Sequence, residues 1–538
     1  MSVLRGRTVT ADRGLPAVAR CARWLEALGA SVVDGEHLAC EGVRITLPGA
    51  GDDPVALASS AGVYDGPVGP GRWHPLDVPG CVAAAWAGLG LLAATWDAGR
   101  GGAVREGSVP LLDAAIGASE LSALLVDDPP RGWEPVRWAA SPWVGTYACA
   151  DGRWVQLHAG MPSHLARLLR HPLVEGSLEV SAETLADPLR VGSPREAWRS
   201  RRALRALFRR HPARRWEEVL GGDGLCVVMC RQEAEVRAMF PDGRPLRVRA
   251  LDVATRPPPP PDGRPLGGLR VLDLTQVIAG PTAGRALAAL GAEVTKVVDP
   301  HARQGWVEAF RAAFDVGKRT VALDLRTEAG RAALVGLLRD ADVVIHGFRP
   351  QAAERLGVSD DDIRRHAPAA VIGVVSAYGW DGPFGGWPGW EQTAQALAGT
   401  ELDYGQGRPE LVPLPATDLC TGLLLALGVV AALVGGHAAR VDATLLGTAL
   451  ELRDGAPART AVRRAGLKAV LARRPELVRR VERPGLGALT EIGVPLAMAG
   501  VERFGEPGPG AVVPDRARRR LMRTLPWVAV LVGGRIGG

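Results

Sequence analysis

Three features of the 538-residue sequence predict an α/β protein with a doubly wound, mostly parallel sheet, a small α+β subdomain and a tandem repeat. Strand-like apolar runs alternate with helix-length segments from Leu269 to Ser376, the signature of right-handed βαβ crossovers. A proline run, Arg256-Pro257-Pro258-Pro259-Pro260-Pro261-Asp262-Gly263, reads as an extended spacer ending in a turn. Segments on its two sides repeat each other: LGLLAA (89–94) aligns with LGVVAA (427–432), and SSAGVYDGP (59–67) with SAYGWDGP (376–383).

In chain order, Leu15 to Val33 predicts a helix leading to a strand, Val55 to Asp65 a small-residue loop, and Val82 to Ala94 an apolar helix. From Trp143 the pattern changes to short strands and turns (GTYACADGRWVQLHAG), followed by Arg- and Leu-rich helices from Pro194 to Leu220. That change defines the small α+β subdomain, from about Ser141 to Asp252. After the prolines, strands are expected at Leu269–Leu274, Glu293–Val298, Thr320–Leu325, Asp342–Ile345 and Ala369–Ser376, with helices at Ala283–Leu290 and Ala329–Arg339. In such sheets ligands sit outside the carboxyl ends of the strands. Those ends are Thr275 to Pro281, Asp299-Pro300, His346 to Pro350 and Ala377 to Gly379.

Composition narrows the function. With 47% apolar and 23% charged residues the chain can bury two or three cores. The net charge of +6 is unevenly placed: from Glu451 onward 17 Lys and Arg face 8 Asp and Glu, leaving 47 against 50 in the body. No basic fold motif accompanies that charge, so no nucleic-acid partner is expected. The seven cysteines lack ligand-like pairing, Cys226 and Cys230 included, so no metal is expected and the thiols read as reduced. MSVLRGRTVTADRG has no signal-peptide apolar core, and the apolar run Leu423 to Val434 is shorter than the roughly 20 residues a bilayer requires. These observations predict a cytoplasmic protein without a membrane partner.

Asp418 stands at the centre of the most informative stretch, LVPLPATDLCTGLLLALGVVAALVGGHAARVDATLLGTALEL (411–452). An acid just ahead of an apolar helix is either a plain N-cap or a functional carboxylate favoured by unpaired N–H groups and the helix dipole. Ala279-Gly280-Pro281 would let a phosphate or pantetheine chain approach a helix start, or form only a turn. The glycine fingerprint GxGxxG is missing after the first strand, which weakens a nicotinamide-dependent oxidoreductase reading.

Taken together, LGGLRVLDLTQVIAGP, LGAEVTKV, GKRTVALDL, ADVVIHGFRP, ERLGV, SAYGWDGPF and ATDLCTG followed by ALGVVAAL resemble the large domain of class III coenzyme A transferases, the CaiB/BaiF group, over about Leu266 to Leu452. The resemblance implies that Asp418 attacks an acyl-CoA thioester, giving a mixed anhydride and then an aspartyl-CoA thioester; N–H groups at a helix start would stabilise the oxyanion and keep Asp418 ionised. It places Glu391 beside the catalytic centre. Val277, Ile278, Ala279, Phe348, Pro350 and Arg355 would bind coenzyme A, which is a substrate; no cofactor is held permanently. Small carboxylic acids would be the other partners. Two departures bear on this: Asp299 stands where the family has a basic triplet and would repel phosphate, and Gly347 replaces an Asn. Trp390 stands where the family's racemases carry a His, so transfer is favoured over racemisation.

The repeat then divides the chain into a degenerate partial large domain (1–140), the small subdomain (141–255), the proline linker (256–264), the large domain (265–452) and a basic tail (453–538). Asp418 aligns with Gly80, the nearest acid is Asp77, and the first unit is read as lacking the strand–helix opening of a coenzyme A-binding half. The resemblance implies a homodimer or an intrachain pseudo-dimer. A binding protein that has lost turnover is the alternative reading.

Overall fold

The computed structural model describes residues 2–49, 75–123, 141–189, 193–301, 305–412, 414–454, 467–483 and 487–505. The N-terminal sheet contains β1 (Thr8–Ala11), β2 (Ser31–Asp34), β3 (Leu38–Cys40), β4 (Val43–Thr46) and β5 (Glu106–Ser108). Helix α1 (Pro16–Ala27) connects β1 to β2, and the two strands pair in parallel with Val9 beside Val32. The first unit therefore has the strand–helix–strand opening that sequence reading denied it. Four-residue strands such as TVTA carry too few apolar positions to stand out as a buried run.

Helix α2 (Val78–Gly99), β5 and helix α3 (Leu111–Ala118) complete this unit. The 59–67 half of one repeat pair lies outside the described residues. The other pair is present as the same helix–strand–helix order seen near the end of the second unit.

The small subdomain is an antiparallel three-stranded sheet, β6 (Val144–Ala148), β7 (Trp154–His158) and β8 (Val227–Met229), with helix α4 (Pro194–Phe208). It has its own core of Trp143, Tyr147, Phe208 and Trp216.

The second sheet contains β9 (Leu246–Ala254), β10 (Arg270–Asp273), β11 (Glu293–Val298), β12 (Arg319–Ala322), β13 (Val343–His346), β14 (Val371–Ser376) and β15 (His437–Thr444). Its order is β12-β11-β10-β13-β14-β15-β9, and every neighbouring pair is parallel except β15 with β9. The six strands after the prolines thus follow the doubly wound order 3-2-1-4-5-6, whose direction reverses between β10 and β13. Strand β9 departs from the sequence reading. It precedes the proline run yet pairs with the second sheet, Val248 opposite Val441, so the prolines cross an interface instead of dividing two separate bodies. Arg100 fixes that crossing by donating to the carbonyls of Pro259 (2.9 Å) and Gly267 (2.8 Å).

Helix α5 (Ala279–Ala289) follows β10, α6 (Pro350–Leu356) follows β13, α7 (Glu391–Leu397) follows β14, and α8 (Ala416–Gly435) and α9 (Leu445–Arg453) flank β15. The expected apolar helix was Leu423–Val434; the observed one begins seven residues earlier and takes Asp418 into its first turn. At 22 and 20 residues, α2 and α8 are long and apolar enough to cross a bilayer, yet each is buried within the protein. They lie side by side in the same direction: Cys81 meets Cys420 at one end, and Gly88 leaves room for Leu427 midway. Thr95, Trp96, Leu433 and Val434 line a cavity of about 220 Å³ at the far end.

The stretch read as a basic tail is partly folded. Strands β16 (Val478–Arg483) and β17 (Gly487–Ile492) form a hairpin, and β18 (Ala497–Met498) pairs with β5. Leu477, Leu489, Ile492 and Leu496 enter a core shared with both sheets. The apolar run Trp527–Val532 lies outside the described residues.

Candidate active site

Helix α8 begins directly after Pro415, and its first backbone N–H groups have no intrahelical acceptor. Its N-cap residue, Pro415, offers no side-chain bond. Glu391, the first residue of α7, supplies the cap from a distance. Its Oε1 accepts from the Thr417 N–H at 3.1 Å and its Oε2 from the Asp418 N–H at 2.6 Å. Gln395, one helical turn on, holds Glu391 in place through a 2.8 Å bond from Nε2, while its own Oε1 accepts from the Val412 N–H at 3.0 Å.

This arrangement corrects two expectations. Asp418 is not the cap, and the helix-start N–H groups that would have kept it ionised are occupied by Glu391. Among the described residues the Asp418 carboxyl has no hydrogen-bond partner. Burial, and next the charge of Glu391, push it well above the usual carboxylate range. Burial also raises Glu391, while its three donors oppose that shift. Both acids of the pair therefore hold a proton more tightly than usual, Asp418 with no donor to oppose burial and Glu391 with three.

The segment Val277-Ile278-Ala279 forms the turn from β10 into α5. Val277 has φ of 75°, a left-handed conformation that a β-branched residue rarely adopts. Gly422, one turn after Asp418, brings α8 against this turn. A Cβ at position 422 would sit 2.2 Å from the Ala279 carbonyl oxygen, so only glycine permits the approach. Phe348 and Pro350 follow β13, the strand beside β10, and Leu274 donates to the Ile345 carbonyl at 2.8 Å across the junction. The structure thus gathers Val277, Ile278, Ala279, Phe348 and Pro350 at the reversal point of the sheet and places Asp418 and Glu391 beside it. Arg355 lies on α6, exposed and without an ion-pair partner among the described residues. Asp299 does not stand alone: Arg326 pairs with it at 3.2 Å, offsetting the charge expected to repel phosphate.

Sequence reading missed the groups that the small subdomain contributes. His158 stacks on Trp390 with ring centroids 4.8 Å apart, and His164 meets the same indole edge-on at 6.2 Å. Burial lowers His158 to about 3, aided by His164, and lowers His164 to about 4, aided by Arg349 and Arg167. Both imidazoles are neutral near pH 7. Nothing in the linear sequence ties them to Trp390, whereas Gln395 and Gly422 were detectable as the residues four positions after Glu391 and Asp418.

In the first unit, Asp77 caps α2 by accepting from the Gly80 N–H at 2.9 Å and pairs with buried Arg20 at 2.6 Å. A side chain at position 80, the counterpart of Asp418, would meet the Asp77 carboxylate at 2.3 Å. This helix start has no room for a nucleophile.

The sequence profile of CoA-transferase family III matches residues 46–241 and 266–500 of this chain. The match extends beyond Arg453, where sequence reading had ended the resemblance. A Mycobacterium tuberculosis protein named probable fatty acyl-CoA transferase Rv3272 is 38% identical over 189 residues, 32% of this chain and 47% of that protein. The succinate–glutarate CoA-transferase of Agrobacterium fabrum is 31% identical over 204 residues, 34% of this chain and 51% of that enzyme. The matched stretches therefore span about half the length of these curated relatives. A crystal structure of a CAIB/BAIF family protein from Brucella suis aligns with 36% of this chain and 56% of its own, at 28% identity and a TM-score of 0.33.

Proposed function

This chain belongs to CoA-transferase family III, and on that premise we propose that it moves coenzyme A between carboxylic acids with Asp418 as nucleophile. The observation carrying this reading is the division of labour at the start of α8, where Glu391 takes the capping N–H groups and leaves the Asp418 carboxyl unengaged. An acid whose only task was capping would make those bonds itself.

In the proposed reaction Asp418, after releasing its proton to solvent, attacks the thioester carbonyl of an acyl-CoA with one carboxylate oxygen. The carbon–sulfur bond breaks, CoA thiolate leaves, and an aspartyl–acyl anhydride forms. The thiolate then attacks the aspartyl carbonyl, releasing the first carboxylate and leaving an aspartyl-CoA thioester. An acceptor carboxylate attacks that thioester, and returning thiolate takes the new acyl group from the second anhydride, regenerating Asp418. Val277, Ile278, Ala279, Phe348, Pro350 and Arg355 would bind coenzyme A along the carboxyl ends of β10 and β13. The parallel packing of α2 against α8 supports a pseudo-dimer reading, in which the first unit replaces a second subunit and keeps no nucleophile of its own.

Incubation with a panel of acyl-CoAs and hydroxylamine, followed by peptide mass spectrometry, tests the proposal. The expected product is a hydroxamate at Asp418 alone. Unmodified Asp418 with every acyl-CoA, or modification at another carboxylate, would refute it.

A further inference from the structure

Three strand motifs deliver charged side chains to one buried point beneath the turn that follows β10. Asp273 ends β10, Lys296 lies in β11, and Lys318 immediately precedes β12; all three are almost fully buried. The Asp273 carboxylate lies 3.2 Å from the Lys296 ammonium and 2.9 Å from that of Lys318. Asp315 is 3.0 Å from Lys318 and 3.9 Å from Lys296, so two positive and two negative charges balance. Burial by itself would raise Asp273, but the two lysines outweigh it and hold the carboxyl down to about 2.

Each lysine also donates to the chain above. Lys296 Nζ bonds the Thr275 carbonyl, and Lys318 Nζ bonds the Pro281 carbonyl at 2.7 Å. Asp273 Oδ1 accepts from the Thr275 N–H at 2.9 Å. These bonds fix both ends of the segment 275–281, and Val277, with its left-handed φ of 75°, lies between them. Helix α5 lies directly over the cluster: a Cβ on Gly284 would come within 2.8 Å of Asp273 Oδ2.

A buried charge cluster is a weak device for stability alone, because apolar residues of similar volume often serve as well. A non-glycine residue held at positive φ is strained and persists only where its surroundings over-determine it. We infer that Lys296 and Lys318 are positioning residues for coenzyme A, holding the Thr275 and Pro281 carbonyls so that the strained turn at Val277 is preformed for the ligand. The inference rests on the transferase reading and deepens its assignment of Val277, Ile278 and Ala279.

The test is a mutant cycle read by calorimetric titration with coenzyme A and by steady-state kinetics. Lys296→Met and the charge-balanced Lys318→Met/Asp315→Asn are each combined with Val277→Gly. Each lysine change should raise the Kd for coenzyme A and the KM for acyl-CoA about tenfold, with kcat changed less than about twofold. Val277→Gly should recover much of that affinity, because glycine adopts positive φ without a scaffold. Should the methionine variants fail to fold, Lys296→Gln and Lys318→Gln enter the same cycle with the same expected shifts. Folded lysine variants with wild-type Kd, or a loss that Val277→Gly does not relieve, would overturn the positioning role while leaving the transferase reading intact. Wild-type protein that binds no coenzyme A would overturn both.

Discussion

Glu391 Oε2 accepts the backbone N–H of Asp418 at 2.6 Å, so one acid caps the helix on which the other acid sits. The bond separates two roles that the sequence could have assigned to a single residue, and it makes each role testable by a different substitution.

Asp418→Asn should abolish coenzyme A transfer and leave the protein folded, melting no lower than wild type near neutral pH, because it removes a buried acid held above its usual range. The side chain makes no capping bond, and an amide cannot form the anhydride. Acyl exchange assays and thermal denaturation of the two proteins check this together. Equal exchange rates would remove Asp418 from the mechanism.

Glu391→Gln should have two effects. Losing one of the two oxygens that cap the helix should cost about 1 kcal/mol in chemical denaturation. Burial raises Asp418 first and Glu391 raises it further, so removing that negative charge lowers the Asp418 pKa. The acid limb of the kcat/KM profile should move to lower pH. A limb that stays in place would show that Asp418 does not govern it.

Gly422→Ala should push α8 away from the first turn of α5, since the added methyl would lie 2.2 Å from the Ala279 oxygen. A loss of about 2 kcal/mol in stability is expected, in the range for overpacking. The KM for acyl-CoA should rise more than kcat falls. An unchanged KM would separate Ala279 from the coenzyme A site.

Glu401 is fully buried, and among the described residues its Oε1 has no partner and its other oxygen meets only the Cys230 thiol at 3.9 Å. Burial raises it well above its ordinary value of 4.5. The folded state therefore favours the protonated acid, and the stability this contributes is complete below the unfolded value and lost as pH rises toward the folded one. Glu401→Gln should melt higher than wild type near neutral pH, with the difference shrinking as the solution is acidified through the usual glutamate range. A difference independent of pH would contradict this account.

Asp77→Ala should destabilise the fold by about 3 kcal/mol, the lower end of the range for stripping one partner from a buried ion pair. Arg20 retains Glu451 at 3.3 Å, which limits the loss. Urea denaturation measures it, and transfer activity per folded molecule should be unaffected. An effect on kcat would give the first unit a part in the chemistry.

The parallel sheet was readable because its central strands, buried on both faces, form apolar runs such as VVIH and VIGVVS. The short, half-exposed strands of the first sheet lack such runs, so β1, β3 and β4 went unread, and only β2 was legible, as the end of the segment that begins with α1. The Arg-rich composition after Glu451 suggested a tail because charge dominates a linear average. Burial of Leu489, Ile492 and Leu496 depends on which surface the segment folds back onto.

Asp418, Glu391 and the turn at Val277 were marked by residue type and motif order, so the sequence alone determined which groups are available for chemistry. Only the tertiary structure decided their states. Asp418 and Glu391 are 27 positions apart, and their bond exists because α7 and α8 pack against each other. The same holds for His158 on Trp390, and for Lys296 and Lys318 beneath the turn. A local pattern specifies what a backbone segment can become, whereas protonation, capping and strain are set by neighbours that chain distance does not reveal.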